Sequence, residues 1–114
     1  MSYKKGLKFE YEIKQLFESA GYYVMRSAGS HGIFDLIAIK NGKAFGIQCK
    51  YNNHLRPAER IAMLNAGKRY GIVPIYAHRD KRKPLILENL ATNELIDPAT
   101  LDSYVDMLTN EKHD

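Results

Sequence analysis

The sequence predicts an α/β fold, a mixed central β-sheet flanked by helices. Three observations predict it. Stretches with helical spacing of apolar residues alternate with short runs of strand formers. Asn41-Gly42 joins two of those runs as a tight hairpin, because both central positions of that turn tolerate positive φ. Gly21 and Gly71 follow the last periodic residue of two helical stretches, where glycine stops a helix. The resulting order, α-β-β-β-α-β-β-α, calls for a mixed sheet with helices packed on it.

Each element follows from its residues. Lys4 to Ala20 is an amphipathic helix with Phe9, Ile13, Leu16, Phe17 and Ala20 on its apolar face. Tyr22 to Arg26 is rich in strand formers. Ser27 to Gly32 is small and polar and makes a loop. Asp35 to Lys40 and Lys43 to Tyr51 form the hairpin, and Asn52 to Arg56 is a polar loop. Pro57 suits the first turn of a helix that continues from Ala58 to Tyr70. Ile72 to His78 is a strand that Pro74 marks as an edge or a bulge. Arg79 to Lys83 is a charged turn, and Pro84 to Leu87 is a strand. Asp97 is expected to cap a last helix from Ala99 to Leu108. No repeat or linker divides the chain, so residues 1–114 form one domain, with 110–114 a frayed tail.

Composition narrows the class. The chain has 114 residues, enough for a single core. With 45% hydrophobic and 26% charged residues, a soluble globular domain is expected. No apolar run is long enough to span a bilayer, and the N-terminus reads as helix rather than signal peptide. Cys49 is the only cysteine, so no intrachain disulfide forms and a cytoplasmic location is expected, or the host-cell cytoplasm for a viral chain. A net charge of +4 permits contacts to phosphate without proving them.

The hairpin carries the chemistry. With Asn41-Gly42 as the turn, Lys40 faces Lys43 and Asp35 faces Gln48 across the strands. Gln48 and Lys50 share a face because residues two apart on a strand do. Hard divalent cations take oxygen ligands, which the Asp35 carboxylate, the Gln48 amide and the Cys49 backbone carbonyl supply. Lys50 is placed to orient or deprotonate a water, or to offset charge growing on a phosphate. A third carboxylate would complete such a cage. Glu10 and Glu12 both flank the apolar face of the first helix, and periodicity does not choose between them. Met63 and Tyr70 are candidates for a subunit interface, and Cys49, alternating away from this face, is expected in the core.

Lys5-Gly6-Leu7-Lys8-Phe9-Glu10, the run Gly21 to Ser30 (GYYVMRSAGS), Asp35-Leu36-Ile37-Ala38 and Ile47-Gln48-Cys49-Lys50 together resemble the archaeal-type Holliday junction resolvases, Hjc-like members of the PD-(D/E)XK nuclease superfamily. The resemblance runs from about residue 4 to residue 90. It implies a restriction-endonuclease-like core and a homodimeric endonuclease that resolves four-way DNA junctions with Mg²⁺, for which Mn²⁺ can substitute. By position it implies Glu10, Asp35, Gln48 and Lys50 as the catalytic set, with Glu10, Asp35, Gln48 and the Cys49 carbonyl as metal ligands. Ser30 matches a serine of the family's active-site loop. Arg26, Ser27, His31, Tyr51 and Asn52 are the further candidates for DNA contact. Two residues depart from the pattern: Phe34 stands for the usual proline, and Gln48 for the usual acid. Glutamine removes one negative charge, so Gln48→Glu is expected to keep or improve cleavage at low metal. The rival readings are a restriction- or repair-type endonuclease acting on duplex DNA, and a DNA-binding module of the same fold without catalysis.

Overall fold

The structure is a computed structural model that describes residues 2–27 and 32–111. Helix α1 spans Ser2–Ser19, followed by strands β1 (Tyr23–Arg26), β2 (Leu36–Lys40) and β3 (Lys43–Tyr51). Helix α2 (Pro57–Tyr70) leads to β4 (Ile72–Arg79), β5 (Ile86–Asn89) and β6 (Glu94–Ile96). A 3₁₀ turn, Pro98–Thr100, opens helix α3, Leu101–Glu111. The six strands lie in sequence order in one sheet. Only β3 and β4 are parallel, joined through α2, and the other neighbours are antiparallel, so the sheet is mixed as expected.

The two faces of the sheet bury different layers. On one, Phe9, Ile13 and Phe17 of α1 and Leu101, Tyr104 and Val105 of α3 pack on Val24, Leu36, Ala38, Phe45, Ile47, Ile75 and Ala77. On the other, Met63 and Ala66 of α2 pack with Phe34, Tyr76 and Leu90. The alternation along β3 is the reason. Phe45, Ile47, Cys49 and Tyr51 face α1, while Gly46, Gln48 and Lys50 face α2. Gly46 has a packing role, since a Cβ there would meet the Phe34 ring at 2.7 Å.

The hairpin register is as the turn chemistry dictates. Asn41 and Gly42 have φ of 52° and 76°, Lys40 pairs with Lys43, and Leu36 pairs with Ile47. Gly71 takes φ 70° and ends α2.

Several boundaries differ from the expectation. Pro74 lies in a central strand, not at an edge. A residue's N–H and C=O point to the same side of a strand, and the Pro74 carbonyl accepts from the Leu90 N–H at 2.9 Å on the β5 side. The missing N–H therefore faces β5 just past its last residue, where the ladder has already ended at Ile75–Asn89. The charged turn holds Arg82 at φ 65° and delays β5 to Ile86. Strand β6 was not expected; it is three residues long and follows a turn with Asn93 at φ 64°. Asp97 caps as expected, its side chain accepting from the Ala99 N–H at 2.9 Å, but the chain makes a 3₁₀ turn before α3. Met63 is fully buried beneath α2 and so is unavailable to an interface, whereas Tyr70 is exposed. Of the tail, Asn110 and Glu111 continue α3. No helix among the described residues is long and apolar enough to cross a membrane.

Candidate active site

The end of the sheet where β1 stops, β2 starts and β3 runs on past β2 gathers the polar side chains. Asp35 immediately precedes β2 and steps out of its register: the ladder ends at Leu36–Ile47, and Asp35 donates its N–H to the Ile47 carbonyl at 2.8 Å, a bulge-like offset in place of the direct Asp35–Gln48 pairing expected from the turn. Its Oδ2 accepts the Cys49 N–H at 2.8 Å, which locks the carboxylate against β3. The Cys49 carbonyl points to that same side, beyond the first rung of the β2 ladder at Leu36–Ile47. Gln48 is 8% exposed rather than part of a solvated stripe. Turned one way, its amide donates to Glu59 Oε2 at 3.4 Å; turned the other, it donates to Asp35 Oδ2 at 2.9 Å and Oδ1 at 3.3 Å. Lys50 donates to Glu59 Oε2 at 2.9 Å.

Glu10 reaches the same end of the sheet from α1. Its carboxyl is shifted up by partial burial and then by the negative charge of Asp35, with Arg26 opposing at 3.4 Å. Burial also raises Asp35, opposed by the Cys49 N–H and by the charges of Lys50 and Arg26, while Glu59 adds to the rise. The negative charge that Asp35 places on Glu10 is of the kind a cation held beside both would offset. Glu12 is paired elsewhere, at 2.7 Å from Arg79 on the protein surface. The tertiary structure thus selects Glu10, which sequence periodicity left level with Glu12.

The remaining candidates separate. Arg26 lies against Glu10 with its guanidinium 4.9 Å from the Tyr11 ring centre. Ser27 donates its N–H to the Asp35 carbonyl at 2.8 Å and so ties the end of β1 to the residue that precedes β2. Ser30 and His31 lie outside the described residues. The Tyr51 ring packs against Phe9 at 5.9 Å, toward the α1 core rather than the site. Asn52 accepts the Lys81 N–H and ties down the charged turn. Cys49 points into the α1 layer; burial, then the nearby Asp35 and Glu10 charges, push its thiol well up, which makes it a poor nucleophile.

Glu59 was missed by the sequence reading. It sits in the first turn of α2, and its Oε1 accepts the Arg56 N–H at 2.9 Å. Burial pushes its carboxyl up, but the Arg56 N–H, the Lys50 ammonium and the Arg56 side chain hold it down to about 2. The pattern Arg56-Pro57-Ala58-Glu59, with proline opening a helix and an acid at its third position, signals a helix start. Nothing in that pattern says which strand the acid will face.

Among the described residues, no three His, Cys, Asp or Glu side chains form a metal-holding group by themselves. The donor set fits a hard cation only with the amide and a backbone carbonyl included: Glu10, Asp35, Gln48 Oε1 and the Cys49 carbonyl, all oxygens. The amide end of Gln48 lies 2.9 Å from Asp35 Oδ2. Neighbouring ligand oxygens on an octahedral Mg²⁺ at 2.0–2.1 Å sit about 3 Å apart, so the spacing suits a shared ion.

This mixed sheet, with helices on both faces and acid, amide and lysine at one end, is an α/β fold of the PD-(D/E)XK type. It is similar to the structure of Archaeoglobus fulgidus Hjc, a Holliday junction resolvase, with a TM-score of 0.65 over 82% of this chain and 79% of that one at 20% identity. Residues 1–106 match the family described as archaeal Holliday junction resolvase (Hjc), and the chain belongs to that family. Over 48 residues it is 50% identical to the crossover junction endodeoxyribonuclease Hjc of Methanocaldococcus jannaschii, a match covering 42% of this chain and about a third (35%) of that protein.

Proposed function

We propose that this chain is a metal-dependent endonuclease that resolves four-way DNA junctions as a homodimer. Family membership over residues 1–106 supports the substrate class. The observation that carries the catalytic reading is the convergence of Asp35, Gln48 and Lys50, with Glu10 electrostatically coupled to Asp35.

Glu10, Asp35, Gln48 and the Cys49 carbonyl would hold a divalent cation, Mg²⁺ or Mn²⁺. When bound, such a cation would supply positive charge beside the scissile phosphate and lower the pKa of a water there. Asp35 is held rigidly by the Cys49 N–H at 2.8 Å, so its geometry needs no reorganisation during the reaction. Lys50, anchored by Glu59 at 2.9 Å, orients the attacking water and offsets the negative charge that grows on the phosphate. Arg26, beside Glu10 at the mouth of the site, is placed for an adjacent backbone phosphate. Exposed Met25, Ile33 and Tyr70 line an apolar cleft next to Arg26, a surface suited to a second copy. Two sites related by a two-fold axis nick paired strands of a two-fold-symmetric junction.

The test compares a four-way junction with linear duplex of the same sequences, in Mg²⁺ and in Mn²⁺, for the parent and Lys50→Ala. Paired nicks in the junction, abolished by Lys50→Ala, are expected. Equal cutting of both substrates favours the duplex endonuclease. Junction binding without any metal-dependent cutting favours the binding module.

A further inference from the structure

A neutral amide at a ligand position raises a problem that a carboxylate does not. A carboxylate presents oxygen whichever way it turns, whereas an amide presents oxygen one way and N–H the other. At Gln48 both orientations have partners. With the nitrogen toward Asp35, the amide donates at 2.9 and 3.3 Å and occupies the carboxylate that a cation needs. With the oxygen toward Asp35, three oxygens face one another, and the nitrogen needs an acceptor elsewhere. Glu59 Oε2 is that acceptor, at 3.4 Å. Gln48 is almost fully buried, so water is a poor substitute for it.

Glu59 is built for this task. Its side chain is only 17% exposed. Its Oε1 is fixed by the Arg56 N–H at 2.9 Å, which leaves Oε2 directed at Gln48 and Lys50 together. One atom therefore receives the amide of a ligand and the ammonium of the water-orienting lysine.

We propose that Glu59 is a positioning residue that turns the Gln48 amide oxygen toward Asp35, and so lets glutamine serve as a metal ligand where the family pattern has an acid. This rests on the metal-site reading above. In the metal-free protein Gln48 donates to Asp35. On cation binding it rotates, its oxygen meets the ion, and Glu59 takes up the nitrogen. Glu59 touches neither the ion nor the substrate; it acts through Gln48 and Lys50.

The experiment measures Mn²⁺ binding to DNA-free protein by calorimetry, for the parent and for Asp35→Asn, Glu59→Gln, Glu59→Met and the double variant Gln48→Glu/Glu59→Met. Glutamine at 59 keeps one acceptor oxygen, which can serve the buried Gln48 N–H while the exposed Arg56 N–H turns to water, and methionine keeps none. Affinity is expected to fall about tenfold or more in Glu59→Met and to stay within about threefold of the parent in Glu59→Gln. The double variant is expected to recover the parental affinity, because a carboxylate at 48 has no N–H to place. That recovery also separates positioning from fold damage, since the double variant still has no acceptor for the Arg56 N–H at the start of α2. In addition, the Gln48 side-chain ¹⁵N–H₂ signal of the parent should shift on Mg²⁺ addition. Three results overturn the inference alone: parental affinity in Glu59→Met, Glu59→Gln as weak as Glu59→Met, or no recovery in the double variant. A parent that binds no Mn²⁺, or binds it independently of Asp35, overturns the metal site and this inference with it.

Discussion

Adding one methyl group at Gly46 should damage both the fold and the site. A Cβ built there lies 2.7 Å from three atoms of the Phe34 ring, whereas carbon atoms in ordinary contact sit about 3.5–4.0 Å apart. The ring must therefore yield by about 1 Å. It is 8% exposed and packed with Met63, Ala66, Tyr76 and Leu90, so retreat displaces α2. Overpacking of this kind costs about 1–3 kcal/mol, and replacing glycine returns about 0.4–1 kcal/mol through the unfolded chain. A net loss of about 1–2 kcal/mol, or roughly 5–10 °C in Tm, is expected for Gly46→Ala. Phe34 is bonded to Asp35, so weakened Mn²⁺ binding should accompany the loss. The assay is urea unfolding followed by circular dichroism, with Phe34→Leu and the double variant completing a cycle. Leucine makes room for the methyl group, so the double variant should be more stable than the sum of the two losses predicts. Parental stability in Gly46→Ala, or penalties that simply add, would refute the argument.

Three further outcomes are expected. Asp35 is raised in the folded protein, so the fold binds its proton more readily than the unfolded chain does, and stability from this group falls as pH rises through that raised range. Asp35→Asn should therefore raise the Tm in metal-free buffer at pH 7 while abolishing Mn²⁺ binding; a lower Tm contradicts the linkage. Glu59 has the opposite sign: held down to about 2 from 4.5, it stabilises above pH 4.5 and loses that contribution as pH falls toward 2. Acid unfolding of Glu59→Gln should accordingly be less steep across this window than that of the parent. Asn89, 2% exposed, donates to the Tyr104 hydroxyl at 2.9 Å and accepts the Ala91 N–H at 2.9 Å. Asn89→Ala should cost about 1–3 kcal/mol in urea unfolding yet leave Mn²⁺ affinity intact; a change in affinity would show that the sheet's far half reaches the site.

The parts of this protein legible in the chain are those whose geometry is local. An Asn-Gly turn sets the hairpin register, and a strand's two-residue period puts Gln48 and Lys50 on one face, so this half of the site follows from nearby residues alone. The α/β class follows similarly from periodicity. What tertiary structure decided are the meetings between elements far apart in sequence. Glu10 and Glu12 both flank one apolar helix face, and only the docking of α1 sends one to Asp35 and the other to Arg79. Pro74 reads as an edge signal until β5 is seen to end opposite it. Glu59 reads as a helix-start acid until α2 crosses the sheet and brings it to Lys50. Side-chain period and turn conformation are properties of a few consecutive residues, whereas the direction in which a packed helix points its polar edge depends on the whole core beneath it.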